Sequence, residues 1–214
     1  MESAEIIAEP EGKVSFILKA AQLRLGLFGY EKTTMQEIAT DIAMSKAALY
    51  YYFPDKESLF KAVIENEQKE YFILLEKRIA EMTEPDKMIS ELVEMRHSLF
   101  RKFLNLSKFR LSDNHKLKPL LNDLYNKLRE IEKEILTEVF LKGKESGIFQ
   151  FEDASELALL FSDILQGIRI MKMRNIISLE LTADDDAHLM KMLRETTTMF
   201  INSLKYNKIT QTGI

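Results

Sequence analysis

The side chains best suited to molecular recognition occupy a short stretch at residues 46–53. Within KAALYYYF, a lysine and two alanines precede three tyrosines and a phenylalanine. Tyrosine hydroxyls and a lysine ammonium can reach phosphate oxygens, and alanine methyls can pack on thymine methyl groups in a major groove. The residue types therefore suit contact with a nucleic-acid duplex.

A helical arrangement would divide these side chains between two faces. At about 100° per residue, Leu49 and Phe53 point toward a core and Tyr51 points away from it, with Tyr50 on a flank. The outward set is Lys46, Ala47, Ala48, Tyr50 and Tyr51. The alternative is that the two tyrosines pack against a neighbouring helix of the same chain.

Short helices are predicted to position this stretch. A first helix over residues 14–28 places Ile17, Ala21, Leu25 and Phe28 on one face and ends at Gly29. A capping box between Thr34 and Glu37 begins a second helix that ends near residue 42. A third helix follows Ser45, which is a suitable N-cap.

A long fourth helix is predicted to begin after Asp55. Lys56 stands in its first turn, where backbone N–H groups and the helix dipole already favour a phosphate. Thr33 and Thr34 likewise place hydroxyls at the start of the second helix. The tight turn between the second and third helices makes the region a helix-turn-helix unit.

Longer helices fill the rest of the chain. Pro85, Pro119, Asp153 and Thr182 mark helix starts. The helix from Pro119 should bury one stripe of apolar side chains, namely Leu120, Leu121, Leu124, Leu128, Ile131, Ile135 and Val139. With only seven Gly, four Pro and no clear strand pattern, the sequence predicts an all-α fold.

Composition excludes several classes of site. The chain has 214 residues and no cysteine, so disulfides, thiolate zinc sites and thiol nucleophiles are absent. The acidic N-terminus lacks the pattern of a signal peptide, and apolar runs are too short to cross a membrane. We therefore expect a soluble cytoplasmic protein.

Residues 1–60 hold six Lys or Arg against nine Asp or Glu, so any DNA contact must come from a local arrangement of charges.

Catalytic and metal-binding motifs are weak. We find no phosphate-binding glycine loop and no serine nucleophile motif, and we expect no enzyme activity and no cofactor. Glu94 and His97 have the E-x-x-H spacing of di-iron bundles, but the nearest second pair is Asp185 and His188, with the wrong acid. We therefore expect no metal site and interpret His97 as a polar pocket or surface residue.

Residues 17–63, ILKAAQLRLGLFGYEKTTMQEIATDIAMSKAALYYYFPDKESLFKAV, resemble the DNA-binding domain of the TetR family of transcriptional regulators. The resemblance implies an N-terminal three-helix helix-turn-helix domain at residues 1–60 and a larger helical effector-binding and dimerisation domain at residues 61–214. It also implies that DNA is contacted by Thr33, Thr34, Met35, Lys46, Ala47, Ala48, Tyr50, Tyr51 and Lys56.

Three alanines depart from the family pattern. Ala43 stands where a turn glycine is common, and a positive φ there would cost alanine about 1 kcal/mol. Ala47 also replaces a frequent glycine, which is harmless inside a helix. Ala48 replaces a frequent Thr or Ser, so sequence reading would depend more on methyl contacts and DNA shape.

The resemblance also implies an effector pocket and a homodimer interface in the C-terminal half. The interface would consist of the last two long helices, at about 153–173 and 184–205. Eight of the eleven methionines lie beyond residue 80, and methionine suits adaptable apolar pockets. Each methionine alone is better explained as core. The candidate pocket residues are Met95, His97, Phe100, Phe103, Tyr125 and Phe161.

The sequence therefore predicts a ligand-responsive, homodimeric regulator of transcription that binds double-stranded operator DNA. We expect a repressor that is released by a small apolar or amphipathic effector, with no membrane partner. One alternative is a helical-bundle enzyme or metal-binding protein with an incidental helix-turn-helix. Another is a protein-interaction adaptor that no longer binds DNA.

Overall fold

The computed structural model describes residues 10–107, 117–175 and 182–205, without the side chains of residues 10, 11, 103–107 and 173–175. Over these ranges the chain forms helices and no strand, which confirms the all-α prediction. The helices are α1 Pro10–Lys32, α2 Met35–Asp41, α3 Lys46–Tyr52, α4 Lys56–Ala80, α5 Pro85–Ser107, α6 Lys118–Glu145, α7 Ala154–Asn175 and α8 Ala183–Leu204. None of them is long and apolar enough to traverse a lipid bilayer.

The chain divides into two compact units. The N-terminal unit comprises Met1–Tyr71 and Ser98–Leu124, and the C-terminal unit comprises Phe72–His97 and Tyr125–Ile214. Helices α4, α5 and α6 therefore each contribute residues to both units. The functional division at residue 60 stays a prediction, because packing alone does not assign function.

The core of the N-terminal unit forms around α1 and the first turns of α4. Ile17, Leu49 and Phe60 are fully buried there, and the bend at Gly29 completes the packing. Gly29 has φ 79° and ψ 168°, a conformation that glycine adopts without steric cost. The bend directs Tyr30 into the core, where its ring lies 4.9 Å from that of Phe60.

Phe28 was wrongly assigned to the buried face of the first helix. Its side chain is 48 % exposed, and the Arg24 guanidinium lies 5.2 Å from its ring centroid. The reason is the bend at Gly29, since Tyr30 rather than Phe28 supplies the aromatic ring at this end of the core.

Local capping residues fix the starts of the short helices, as the sequence predicts. The Thr34 hydroxyl accepts a hydrogen bond from the Glu37 amide, and the Glu37 carboxylate accepts one from the Thr34 amide. The Ser45 hydroxyl accepts from the Ala48 amide at 3.1 Å. The Asp55 carboxylate accepts from the Ser58 amide at 2.6 Å, so α4 begins directly after Pro54-Asp55.

Along α6 the buried stripe differs from the predicted one. Leu124, Leu128 and Val139 are buried, but Ile131 is exposed. Glu132 occupies the buried position one turn after Leu128, and it forms an ion pair with Arg96 of α5 at 3.0 Å. A charged pair therefore replaces the expected apolar contact at this level of the helix.

Aromatic rings form the core of the C-terminal unit. The ring of Phe140 lies 6.3 Å from those of Phe149, Phe161 and Phe200. Helix α7 packs against α8, which starts at the predicted Thr182, where a capping box with Asp185 fixes the first turn. This arrangement sets one wall of the cavity described below.

Candidate nucleic-acid interface and ligand cavity

Helix α3 presents the predicted outward face to solvent. Leu49 is fully buried, whereas the Tyr51 side chain is 85 % exposed and Lys46 and Ala47 are also exposed. Ala48, which was predicted to point outward, is half-buried. The alternative in which Tyr51 packs against another helix of the same chain is not supported among the described residues.

Two ring contacts order the polar groups of this face. The Lys46 ammonium lies 5.7 Å from the centroid of the Tyr50 ring, and the rings of Tyr51 and Tyr52 meet edge to face at 5.3 Å. Because Tyr52 is half-buried, it supports the exposed Tyr51 ring from the side of the core. The face therefore offers preplaced phenol hydroxyls and one ammonium group.

At the start of α2, only part of the predicted set reaches the surface. Thr34 is exposed, but its hydroxyl already serves the capping box with Glu37. These hydrogen bonds from Thr34 lower the pKa of Glu37. Gln36 and Thr40 add exposed polar groups on α2 that the sequence analysis did not select.

The side chains of Thr33 and Met35 do not belong to the exposed face. Thr33 is fully buried and its hydroxyl donates to the Gly29 carbonyl oxygen at 2.8 Å. Met35 is buried in the apolar core of the N-terminal unit. Their predicted side-chain contacts with DNA are therefore corrected to structural roles in the turn between α1 and α2.

Lys56 also has an internal role that the sequence did not reveal. Its ammonium donates to the carbonyl oxygens of Tyr30 at 2.9 Å and of Thr33 at 3.0 Å. It also lies 4.1 Å from the centroid of the Tyr30 ring. A phosphate contact through this ammonium would compete with two backbone hydrogen bonds, so the geometry favours a supporting role.

The turn between α2 and α3 keeps the left-handed conformation without a glycine. Ala43 has φ 52°, and the next amide, of Met44, donates to the Ala39 carbonyl oxygen at 2.8 Å. The backbone at position 43 thus has the positive φ that the sequence analysis described as costly for alanine. Alanine retains the usual geometry at a steric cost.

Arg24 compensates the acidic groups of α2. Its guanidinium pairs with Asp41 at 2.5 Å and with Glu37 at 3.3 Å. The hydrogen bond from Arg24 lowers the pKa of Asp41. One cation is thus shared by two of the nine acidic residues in the first 60 positions, so the pairing leaves the net charge of this region unchanged.

A narrow cavity lies within the C-terminal unit. It leaves about 20 Å³ for the centres of water-sized molecules, which is room for about one water. Its apolar lining consists of Leu92, Val93, Leu136, Phe161 and Leu165, and its polar lining consists of Arg96, Tyr125, Arg129, Glu132, Ser162, Gln166 and Arg169.

The predicted pocket residues are only partly brought together. Tyr125 and Phe161 line the cavity, whereas Met95, His97 and Phe100 do not. Met95 and His97 are nevertheless buried, and the side chain of Phe103 lies outside the described residues. The arginines of the lining were missed, because they stand on three different helices and share no local sequence pattern.

His97 has a hydrogen-bonding partner on α8. Its Nε2 lies 3.0 Å from the Asp186 carboxylate. Within the described ranges, no three His, Cys, Asp or Glu side chains are grouped as metal ligands. No observation in this part of the chain therefore favours the alternative of a metal-binding bundle.

Helices α7 and α8 carry exposed apolar side chains. Leu160, Gly167 and Met171 recur at spacings of seven and four along one face of α7, and Met199 is exposed on α8. A Cβ atom added at Gly167 would meet no atom within 4 Å. The α7 face is thus apolar, shallow at its centre and open in the single subunit.

Comparisons with known proteins agree with this geometry. Residues 17–63 match the family described as bacterial regulatory proteins, tetR family. A transcriptional regulator from Cytophaga hutchinsonii is 33 % identical, with a TM-score of 0.85 over 91 % of this chain and 100 % of that chain.

Two further relatives are more distant or partial. A putative transcriptional regulator from Saccharomonospora viridis, in complex with choline, is 19 % identical over 92 % of this chain and 100 % of that chain, with a TM-score of 0.67. It shares the fold. The nucleoid occlusion factor SlmA of Mannheimia succiniciproducens is 31 % identical over 80 residues. That match spans 37 % of this chain and only 37 % of the relative's length.

Proposed function

The chain belongs to the TetR family of bacterial regulatory proteins, and we propose that it is a homodimeric, ligand-responsive repressor whose α3 enters the major groove of operator DNA. The observation that carries the proposal is the exposed face of α3. Tyr51 extends into solvent there beside Ala47 and Lys46, while Leu49 holds the helix to the core.

The residues of this face have complementary roles in the proposal. The Lys46 ammonium and the Tyr50 hydroxyl contact phosphate oxygens and set the register of the helix. Ala47 permits close approach, and its methyl group can pack on thymine. Tyr51, at the most exposed position, reads base edges or the groove wall. Thr34 remains a candidate for a phosphate contact at the start of α2, where its hydroxyl would donate to a phosphate oxygen in place of the Glu37 carboxylate.

A second copy of the chain is part of the proposal. Helix α3 has seven residues and can read only a few base pairs, so two half-sites are needed for affinity and specificity. The exposed α7 face, with Leu160 and Met171 on either side of Gly167, offers a self-complementary surface. We assign it, together with the Met199 face of α8, to the homodimer interface.

Ligand response is supported by the connectivity of the helices. Leu124 packs in the N-terminal core, and Tyr125, the next residue of α6, lines the cavity. A ligand that moves α6 would thus act on both units through one helix. A coupling free energy of about 1–3 kcal/mol is sufficient to release DNA. The relative that contains choline shows a ligand in a protein of this fold. Access to chromosomal DNA places the proposed repressor in the cytoplasm.

The proposal can be tested by selecting bound DNA from a random pool and measuring affinities for the selected duplex. We expect Tyr51→Ala and Lys46→Ala each to weaken binding about tenfold or more. Lys191→Ala is the matched control, because this exposed lysine of α8 lies in the other unit and pairs with Glu195. Wild-type affinity in both α3 variants would reject this face, and salt-independent binding would favour the adaptor alternative.

A further inference from the structure

The cavity of the C-terminal unit is lined by more positive than negative charge. Three guanidinium groups reach it, from Arg96 of α5, Arg129 of α6 and Arg169 of α7. Among the described lining residues, Glu132 supplies one carboxylate against these three cations. Arg96, Arg169 and Glu132 are each less than 10 % exposed, so water screens their charges weakly.

Counting the ion pairs lowers the excess of positive charge but does not remove it. Glu132 pairs with Arg96 at 3.0 Å. Arg129 pairs at 2.5 Å with Asp163, which is more than half exposed and is not a lining residue. With Asp163 included, three guanidinium groups face two carboxylates, so one positive charge is in excess among these groups.

The Tyr125 hydroxyl lies close to the same three guanidinium groups. Burial raises the pKa of Tyr125, Glu132 acts in the same direction, and Arg96, Arg129 and Arg169 act in the opposite direction. All three guanidinium groups are thus close enough to influence one phenol. A neutral, donating hydroxyl stands beside the positive end of the cavity.

We propose that this cavity binds a carboxylate attached to an apolar chain or ring. The carboxylate is held by Arg129 and Arg169, which present forked N–H donors that match two carboxylate oxygens, and by the Tyr125 hydroxyl. The apolar part packs on Phe161, Leu165 and Leu92. The inference rests on the proposed function, because it names the chemical class of the effector. Of the apolar or amphipathic effectors predicted from the sequence, it selects the amphipathic class.

Binding must enlarge the cavity, because it has room for about one water. The arginines stand on α5, α6 and α7, so a carboxylate between them acts on three helices at once. The wall that carries Tyr125 continues along the chain into Leu124 of the N-terminal core. Because Tyr125 and Leu124 are consecutive residues of α6, an anion bound beside Tyr125 can affect the DNA-binding unit through this helix.

Calorimetry with decanoate and its neutral analogue decanol tests the charge requirement on the wild-type full chain without DNA. We expect decanoate to bind at least about tenfold more tightly than decanol. Inorganic phosphate distinguishes an anion site from an amphiphile site, and we expect it to bind more weakly than decanoate. Equal binding of decanoate and decanol, or no binding of decanoate, would overturn the proposal. If phosphate bound as tightly as decanoate, the proposed requirement for an apolar chain or ring would be rejected.

Variants of the lining locate the site. We expect Arg129→Gln and Arg169→Gln to weaken decanoate binding about 10- to 100-fold. Arg194→Gln is the control, since this mostly exposed arginine pairs with Glu94 and does not line the cavity. Arg129 is partly exposed, so its replacement tests the site even if Arg169→Gln does not fold. Unchanged binding in the folded Arg129 variant would place the anion elsewhere.

The DNA experiment is kept separate so that the two proposals can fail independently. Decanoate that binds the wild-type chain but leaves operator affinity unchanged would support the carboxylate site and contradict ligand-responsive repression by this site. Operator binding by a homodimer that binds no decanoate would leave the DNA-binding proposal standing and remove the carboxylate site.

Discussion

The Lys56 ammonium is anchored on Tyr30: its Nζ lies 2.9 Å from the Tyr30 carbonyl oxygen and 4.1 Å from the centroid of the Tyr30 ring. A second hydrogen bond joins the same ammonium to the Thr33 carbonyl oxygen. These contacts connect the first turn of α4 to the chain between α1 and α2. The position of α2 is thereby set from a residue 23 places away.

Replacing Lys56 by methionine should therefore lower the stability of the fold, while the salt dependence of DNA binding should not change. We expect the free energy of unfolding to fall by about 1.5–3 kcal/mol, because a charged donor to two carbonyl groups is lost. Lys61→Met, on the same helix, is the control. Urea unfolding provides the measurement.

The salt dependence of operator binding separates this role from a phosphate contact. Lys46→Met should reduce the slope of log affinity against log salt by about one per subunit, whereas Lys56→Met should leave the slope unchanged. A Lys56 variant with normal stability and a reduced slope would instead support the phosphate contact that the sequence predicts for Lys56.

Glycine at position 43 should stabilise the protein. Ala43 has φ 52°, where an alanine side chain is strained and glycine is not. We expect Ala43→Gly to raise the free energy of unfolding by about 0.5–1 kcal/mol, after the entropy cost of glycine is included. Ala47→Gly, inside α3, should lower it by a similar amount. Urea unfolding of both variants checks the opposite signs, and a destabilised Ala43→Gly would contradict the argument.

Alanine at position 143 should destabilise the C-terminal unit. A Cβ atom on Gly143 would lie 2.0 Å from Cδ2 of the buried Phe149 ring, whose amide donates to the Gly143 carbonyl oxygen. We expect a loss of about 1–3 kcal/mol, which exceeds the gain in helix propensity. A double-mutant cycle with Phe149→Leu should show that the smaller side chain relieves the clash, and additive effects would argue against it.

A charge at position 167 should separate the proposed dimer without unfolding the subunit. The Cβ of a new side chain meets open space, so Gly167→Glu is tolerated in the single chain and places a carboxylate among Leu160 and Met171. We expect the dissociation constant to rise at least tenfold in analytical ultracentrifugation, with an unchanged helical circular dichroism spectrum. Gln36→Glu, which adds the same carboxylate at an exposed position of α2, away from α7 and α8, is the control. A Gly167→Glu dimer of wild-type affinity would exclude this face.

Alkaline pH should weaken the protein through Tyr30. Burial raises the pKa of Tyr30 to about 12 from an ordinary value of 10.0. Below pH 10 the phenol is protonated in both the folded and the unfolded chain, so its contribution to stability is complete. As pH rises from 10 toward 12, the unfolded chain loses the proton first, and the free energy of unfolding falls. Urea unfolding should show a shallower fall in Tyr30→Phe, and parallel profiles would refute the assignment.

Local features of the fold are predictable from the sequence, whereas distant partnerships are not. The caps at Thr34, Ser45 and Thr182 involve residues three positions away, so their residue types are sufficient to predict them. The error at Phe28 arises because helical periodicity was continued up to a bend whose direction depends on tertiary packing. Similarly, nothing near Ile131 in the sequence indicates that Glu132 will be buried opposite Arg96, 36 positions away.

The candidate DNA face and the cavity differ in the same way. The outward side of α3 follows from one helix of seven residues with a buried Leu49. The cavity requires Arg96, Arg129 and Arg169 to meet from separate helices, which is a property of the folded C-terminal unit. The sequence therefore located the aromatic members of the cavity, Tyr125 and Phe161, but not its charge.

The composition of α3 has a consequence for how the protein would search a chromosome. The helix carries one lysine and no arginine, and its Tyr51 side chain is 85 % exposed. Retention on random DNA depends chiefly on counterions displaced by cationic side chains, so we expect short residence times away from the target. Such a protein would find its site through many brief encounters rather than long one-dimensional sliding, and competing genomic DNA would sequester little of it.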